Sequence, residues 1–176
     1  LRIVERFPSF GKDVSPSFEQ LKEQLHVEFE HTLSILSEQD FQSFADKILE
    51  ARRIFCIGVG SSYMPMTDFN RKLKLINIWT NDYFEQFSIE RIKVIVTPQD
   101  VIIVFSLGGK SKDVNNSILQ AKRHGATVLT ITTLGNHLLS KISDHMIFVY
   151  DAPKNVKICV RIRCSIWLET CYLKSF

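Results

Sequence analysis

Gly109-Lys110-Ser111 has the residue types that close a nucleotide-binding P-loop, and it follows directly on an apolar run, Val101 to Phe105. The full loop has the form G-x-x-x-x-G-K-[ST]. The position its first glycine should hold is Val104, inside the apolar run, so the turn is too short to wrap a chain of phosphates. A narrower chemistry remains. Ser106, Gly108, Gly109 and Ser111 supply hydroxyls and freely bending backbone, and Val114, Ile118, Leu119 and Ala121 behind them recur at helical spacing. A strand, a small-residue turn and a helix start bring unpaired N–H groups and the positive end of the helix dipole to one point. Such a turn accepts one phosphate and not a triphosphate.

A second stretch of the same kind is Gly58-Val59-Gly60-Ser61-Ser62, at the end of the apolar run Ile54 to Ile57. Its rival reading is the dinucleotide fingerprint G-x-G-x-x-G, whose third glycine lets a helix pack closely on a strand. That position is Tyr63 here, although Asn81 and Asp82 could stand in for the ribose-binding acid. A third reading makes both stretches capped glycine turns with no ligand. Two serine-bearing turns at helix starts favour a phosphate.

The elements that must position these turns follow from periodicity. Residues 1 to 17 hold Pro8, Gly11 and Pro16 without a clean period and read as a linker or arm. Ser17 to Gln20 can form a capping box, and Phe18, Leu21, Leu25, Phe29, Leu33 and Leu36 form one apolar helical stripe. A second helix is expected from about Asp40 to Arg52, with Phe41, Phe44, Ile48 and Leu49 inward. Strands are expected at Ile54 to Ile57, Ile76 to Thr80, Val101 to Phe105, Thr127 to Thr132 and Met146 to Tyr150. Between them lie helices at Ser62 to Leu75, Asp82 to Val96 (partly irregular), Ser111 to His124 and Leu138 to Ile142, with a closing helix at Ile158 to Leu173. This alternation means an α/β three-layer sandwich, a parallel sheet covered on both faces. With five strands ordered 2-1-3-4-5, the two serine turns are neighbours across the switch point, where open sheets bind ligands.

Composition narrows the function. The 176 residues carry a formal net charge of +3 with scattered Lys and Arg, which argues against nucleic-acid binding by these residues themselves. No run approaches the about 18 apolar residues of a membrane span, and Arg2, Glu5 and Arg6 interrupt any signal-peptide core. The four cysteines lack C-x-x-C spacing; Cys56 sits in a strand, and Cys164 and Cys171 share a helix face. Reduced, buried thiols in a cytoplasmic protein are expected. The histidines show no metal-ligand spacing, and His124 before Gly125 suits a helix C-terminus. No metal or cofactor is expected.

The stretches "RRIFCIGVGSS", "TPQDVIIVFSLGGKSKDV" and "AKRHGATVLTITT" resemble the sugar isomerase (SIS) domain family. In that family a G-x-G-x-S turn and an S-x-S-G-x-[ST] turn hold the phosphate of a sugar phosphate. The resemblance covers residues 18 to 176. "RIRCSIWLETCYL", the helix before the first strand and "NDYFEQ" are similar to one branch, the phosphosugar-sensing domain of RpiR-type bacterial transcription regulators. The resemblance implies a homodimeric effector domain and a DNA-binding helix-turn-helix domain lying before Leu1. It assigns the ligand to Gly60, Ser61, Ser62, Ser106, Leu107, Gly108, Gly109, Lys110 and Ser111. Two departures stand out: Gly108 replaces the second serine of the second turn, and Lys110 replaces its usual acid. The first removes a donor; the second adds a point charge. His137, after the fourth strand, is a further candidate ligand contact.

Related aldose–ketose isomerases need a base beside the carbonyl. Glu85, Glu90, Glu169, His137 and His145 are the candidates, and none stands in a motif that makes it catalytic. A sensing domain is therefore the leading expectation, with a phosphosugar isomerase as the alternative.

Overall fold

The computed structural model describes residues 18 to 135 and 138 to 150. The expected arm, the capping serine Ser17, His137, Glu169, Cys164, Cys171 and the closing helix lie outside the described residues. Two helices, α1 (Phe18–Ile35) and α2 (Glu38–Glu50), precede the sheet. There follow β1 (Arg53–Gly58), α3 (Tyr63–Leu75), β2 (Thr80–Tyr83), α4 (Gln86–Ile95) and β3 (Asp100–Phe105). The chain continues through α5 (Lys112–Arg123), β4 (Thr127–Thr133), α6 (Leu138–Ile142) and β5 (His145–Val149). All strand pairs are parallel and the order is β2-β1-β3-β4-β5, as the alternation predicts.

The two central strands are buried on both faces, so their side chains divide between two cores at period two. Ile54, Cys56, Val101, Ile103 and Phe105 meet Phe44 and Ile48 of α2 and Met66, Phe69 and Leu73 of α3. Phe55, Ile57, Ile102 and Val104 meet Ile89 and Ile92 of α4, Ile118 and Ala121 of α5, and Leu139 of α6. Helix α1 reaches the β5 edge, where the Thr32 hydroxyl accepts from the Tyr150 N–H at 3.2 Å and the His31 and Tyr150 rings lie 4.8 Å apart.

Three expectations need correction. Leu49 is 64% exposed, on the outer face of α2, while Phe44 and Ile48 alone are its buried residues. The second strand is Thr80–Tyr83 rather than Ile76 to Thr80, because residues 76 to 78 terminate α3. Asn77 takes a left-handed φ of 61°, Ile78 N–H donates to Leu73 O and Asn77 N–H to Lys74 O, the Schellman pattern of a helix end. Helix α4 consequently starts at Gln86 and not at Asp82, which is in the strand. Helix α5 ends the same way with Gly125 (φ 92°), after His124 at the C-cap.

At the amino-terminal ends of β1 and β3, Arg53 and Asp100 are register partners. The guanidinium donates to both carboxylate oxygens, at 3.0 and 2.6 Å. The Thr97 N–H and hydroxyl each reach Asp100 Oδ2 at 2.8 Å. Burial pushes the Asp100 carboxyl up, but Arg53 and Thr97 together outweigh it and hold it below the usual carboxylate range.

Candidate functional site

The candidate site lies at the other, carboxyl-terminal ends of the same two strands, where Gly58 and Phe105 are paired before the chains turn away. Gly58 is required by close approach. A Cβ there would stand 2.6 Å from the Ser62 carbonyl oxygen and 2.8 Å from Met66 Cβ, so α3 begins directly on the strand end. Gly60 follows with a φ of 63° and opens a single 3₁₀ turn, Gly60–Ser62, that feeds α3. Ser61 is exposed. Ser62 is only 7% exposed, and its hydroxyl has no hydrogen-bond partner among the described residues. A buried, unsatisfied hydroxyl is unfavourable and needs a reason.

The second turn is held from within. Ser106 N–H donates to Ile131 O at 3.0 Å, and Ser106 Oγ accepts from the Gly109 N–H at 3.2 Å. Gly109, at φ 57°, takes the left-handed bend, and its carbonyl accepts from Asn115 Nδ2 at 2.7 Å. The Thr133 hydroxyl donates to Leu107 O, and the Leu107 side chain packs half-buried against the core. Ser111 is the N-cap of α5 in backbone geometry, yet its exposed hydroxyl makes no cap hydrogen bond. Lys110 is exposed, its stem alongside Gly108. Gly108 is outside the left-handed region, so a serine is sterically allowed there.

The structure thus gathers Gly60, Ser61, Ser62, Ser106, Leu107, Gly108, Gly109, Lys110 and Ser111 into two adjoining turns at one end of the sheet. The candidate bases separate. His145 opens β5 and stands at the opposite end of a parallel sheet. Glu85 is exposed at the N-cap of α4. Glu90 is half-buried and lines a cleft of about 110 Å³ between the beginnings of α4 and α5. The cleft shares Val59 with the first turn and Ser111 with the second, and its other lining includes Phe84, Gln86, Asp113 and Ser117.

Sequence reasoning missed this cleft and the two side chains, Asn115 and Thr133, that fasten the second turn. Ser111, Val114 and Ser117 do recur at three-residue steps, a legible signal of one helix face. The dinucleotide reading loses its acid. Asp82 Oδ1 accepts from Asn70 Nδ2 at 3.0 Å, within a network that runs through Thr80 to Cys56 and ties α3 to the sheet. Burial pushes the Cys56 thiol up to about 12 despite the opposing contact from Thr80, so it is no nucleophile. Among the described residues no three His, Cys, Asp or Glu side chains gather as for a metal, and no helix is long and apolar enough to cross a membrane.

These features define a doubly wound α/β domain with its polar turns at the topological switch point. The SIS domain family model matches residues 47 to 165. The chain belongs to the SIS domain family. An HTH-type transcriptional regulator of Clostridium perfringens is 32% identical over 100 residues, covering 57% of this chain and 36% of that protein. The first curated relatives are all longer, and the chain spans 36% to 44% of their lengths. The sugar isomerase domain of an RpiR transcription factor from Sphaerobacter thermophilus superposes with a TM-score of 0.77, at 17% identity and 89% coverage of each chain. The NanR protein of Vibrio vulnificus, solved in complex with ManNAc-6P, gives 0.80 at 15% identity, over 98% of this chain and 66% of that one.

Proposed function

We propose that this domain binds a sugar monophosphate at its two serine turns and is the effector-sensing part of a bacterial transcriptional regulator. DNA binding belongs to a separate domain of the same protein. The carrying observation is Ser62, whose hydroxyl is buried at the switch point without a partner among the described residues. With Ser106, Ser111 and the free N–H groups of α5, it forms a set of donors suited to one phosphate. The similarity to HTH-type regulators and to NanR with its bound ManNAc-6P supports the reading. We place the protein in the cytoplasm as a homodimer: α1 leaves Val27, Phe29 and Leu33 more than a third exposed, an apolar surface suited to a second copy.

Thermal melting with hexose, hexosamine and pentose phosphates tests the reading. Ligand at one hundred times its Kd adds about 2.7 kcal/mol of stability. In calorimetric titration Ser111→Ala weakens binding roughly tenfold to a hundredfold, the loss of one hydrogen bond to a charged group. Stabilisation by NAD and by no sugar phosphate refutes the proposal.

The isomerase reading has one observation in its favour, the carboxylate of Glu90 in the cleft beside Ser111. Its check is NMR in deuterated water. Proton exchange on a bound sugar phosphate that vanishes in Glu90→Gln would establish that reading; a sensor shows no exchange.

A further inference from the structure

The cleft between α4 and α5 carries polar groups that the two phosphate turns do not use. Ser117 is 5% exposed, lines this cleft, and its hydroxyl has no hydrogen-bond partner among the described residues. A hydroxyl inside a helix ordinarily satisfies itself on the preceding turn, as Thr32 and Thr67 do in this molecule. Ser117 does not, and an unsatisfied buried hydroxyl beside open space is a group awaiting a partner. Across from it stand Gln86 and Glu90, linked to each other at 3.2 Å, and Asp113 lies at the mouth. Among the described residues the lining holds two carboxylates and no lysine, arginine or histidine.

We infer that this cleft is the subsite for the sugar body, with Ser117 and Glu90 reading its hydroxyls, and that it admits only monophosphorylated sugars without a second anionic group. The inference rests on the phosphosugar reading of the turns and extends it. Ser111 belongs to both, so a phosphate at the head of α5 directs the rest of the ligand along the Ser111–Val114–Ser117 face. Carboxylates accept from sugar hydroxyls or from an amino group. A ligand carboxylate or second phosphate in the cleft would meet Glu90 and Asp113, with no basic side chain among the described lining residues, and like charges repel. Val59, Phe84 and Ile89 supply the apolar wall for the C–H face of the sugar.

The test is calorimetric titration of the full 176-residue chain with glucosamine 6-phosphate, fructose 6-phosphate, 6-phosphogluconate, fructose 1,6-bisphosphate and inorganic phosphate. The expected result is binding of one or both of the first two, with 6-phosphogluconate and the bisphosphate weaker by at least roughly tenfold, the scale of one charged contact. Ser117→Ala and Glu90→Gln each lower affinity for the bound sugar phosphate about tenfold and leave inorganic phosphate unchanged, whereas Ser111→Ala lowers both. Glu90→Gln also narrows the gap to 6-phosphogluconate, a readout that a folding defect does not produce. If Ser111→Ala weakens the sugar phosphate while Ser117→Ala and Glu90→Gln bind it like the parent, the phosphate turns stand and the cleft is overturned. Preference for 6-phosphogluconate overturns it as well. If no sugar phosphate binds and Ser111→Ala changes nothing, the phosphosugar reading itself fails and takes the subsite with it.

Discussion

Strands β1 and β3 run side by side, and their two ends are built on opposite principles. At the amino-terminal end every polar atom of Asp100 is matched, by Arg53 in a two-point ion pair and by Thr97. At the carboxyl-terminal end the chain buries the Ser62 hydroxyl with no partner among the described residues and leaves the Ser111 hydroxyl out of its own cap. One end spends its polar groups on holding the sheet together. The other leaves them open, which is what the proposed phosphate site requires. On the proposed function, stability and binding are separated along the length of two six-residue strands.

The largest effect that can sharpen this contrast is at the satisfied end. Asp100→Ala strips a buried partner from Arg53 and from Thr97, and the loss is about 3 kcal/mol, the low end for a broken buried pair because Arg53 is partly solvated. Urea unfolding should show a lower midpoint with an unchanged slope, while the affinity of the folded protein for a sugar phosphate stays as it was. The pH dependence follows the same pair. The folded carboxyl titrates below its unfolded value of about 3.9, so its contribution is complete above that value. It is lost as pH falls through the folded pKa, and acid unfolding of Asp100→Ala lacks that component.

A smaller effect comes from the join between the strand and the site. Gly58→Ala places a methyl against the Ser62 carbonyl, a backbone atom that must move, at about 2 kcal/mol. Both thermal stability and sugar-phosphate affinity should fall, since the same carbonyl fixes the start of α3. A change in stability with no change in affinity would break the claim that this turn shapes the site.

The smallest effect has the opposite sign. Ser62→Ala removes a buried hydroxyl that no described residue satisfies, so the unliganded domain should gain up to about 1 kcal/mol while ligand binding weakens. A destabilised Ser62→Ala domain would show that the hydroxyl serves the fold, and the contrast between the two ends would collapse.

Much of the fold is legible because its signals are local. The run Val101 to Phe105 with small residues behind it marks β3 and its turn, and Gly125 marks the end of α5. Asn77 performs the same service for α3 without glycine's signature, which displaced the expected second strand by several residues. That strand, Thr-Asn-Asp-Tyr, is short, polar and at the sheet edge, so no apolar pattern reveals it. Leu49 joined the expected inner face of α2 through hydrophobicity, yet the helix turns Phe44 and Ile48, with Phe41 partly buried beside them, toward the core and leaves Leu49 outside. In the site, the serine turns are visible as motifs. The cleft is not, because it exists only where α4 and α5 approach, and Gln86 and Ser117 are far apart in sequence. The Arg53–Asp100 pair escapes for the same reason.

The clasp from Asn115 to the Gly109 carbonyl bears on the disorder a ligand must overcome. A turn with two adjacent glycines is normally among the most mobile parts of a chain, and fixing each residue's backbone costs roughly 1 to 2 kcal/mol in entropy. Here Asn115, Thr133 and the Ser106 hydroxyl hold the loop in shape from the protein side. The ordering is completed during folding, by α5, β4 and the turn itself, so a phosphate at the proposed site would meet a cradle already set.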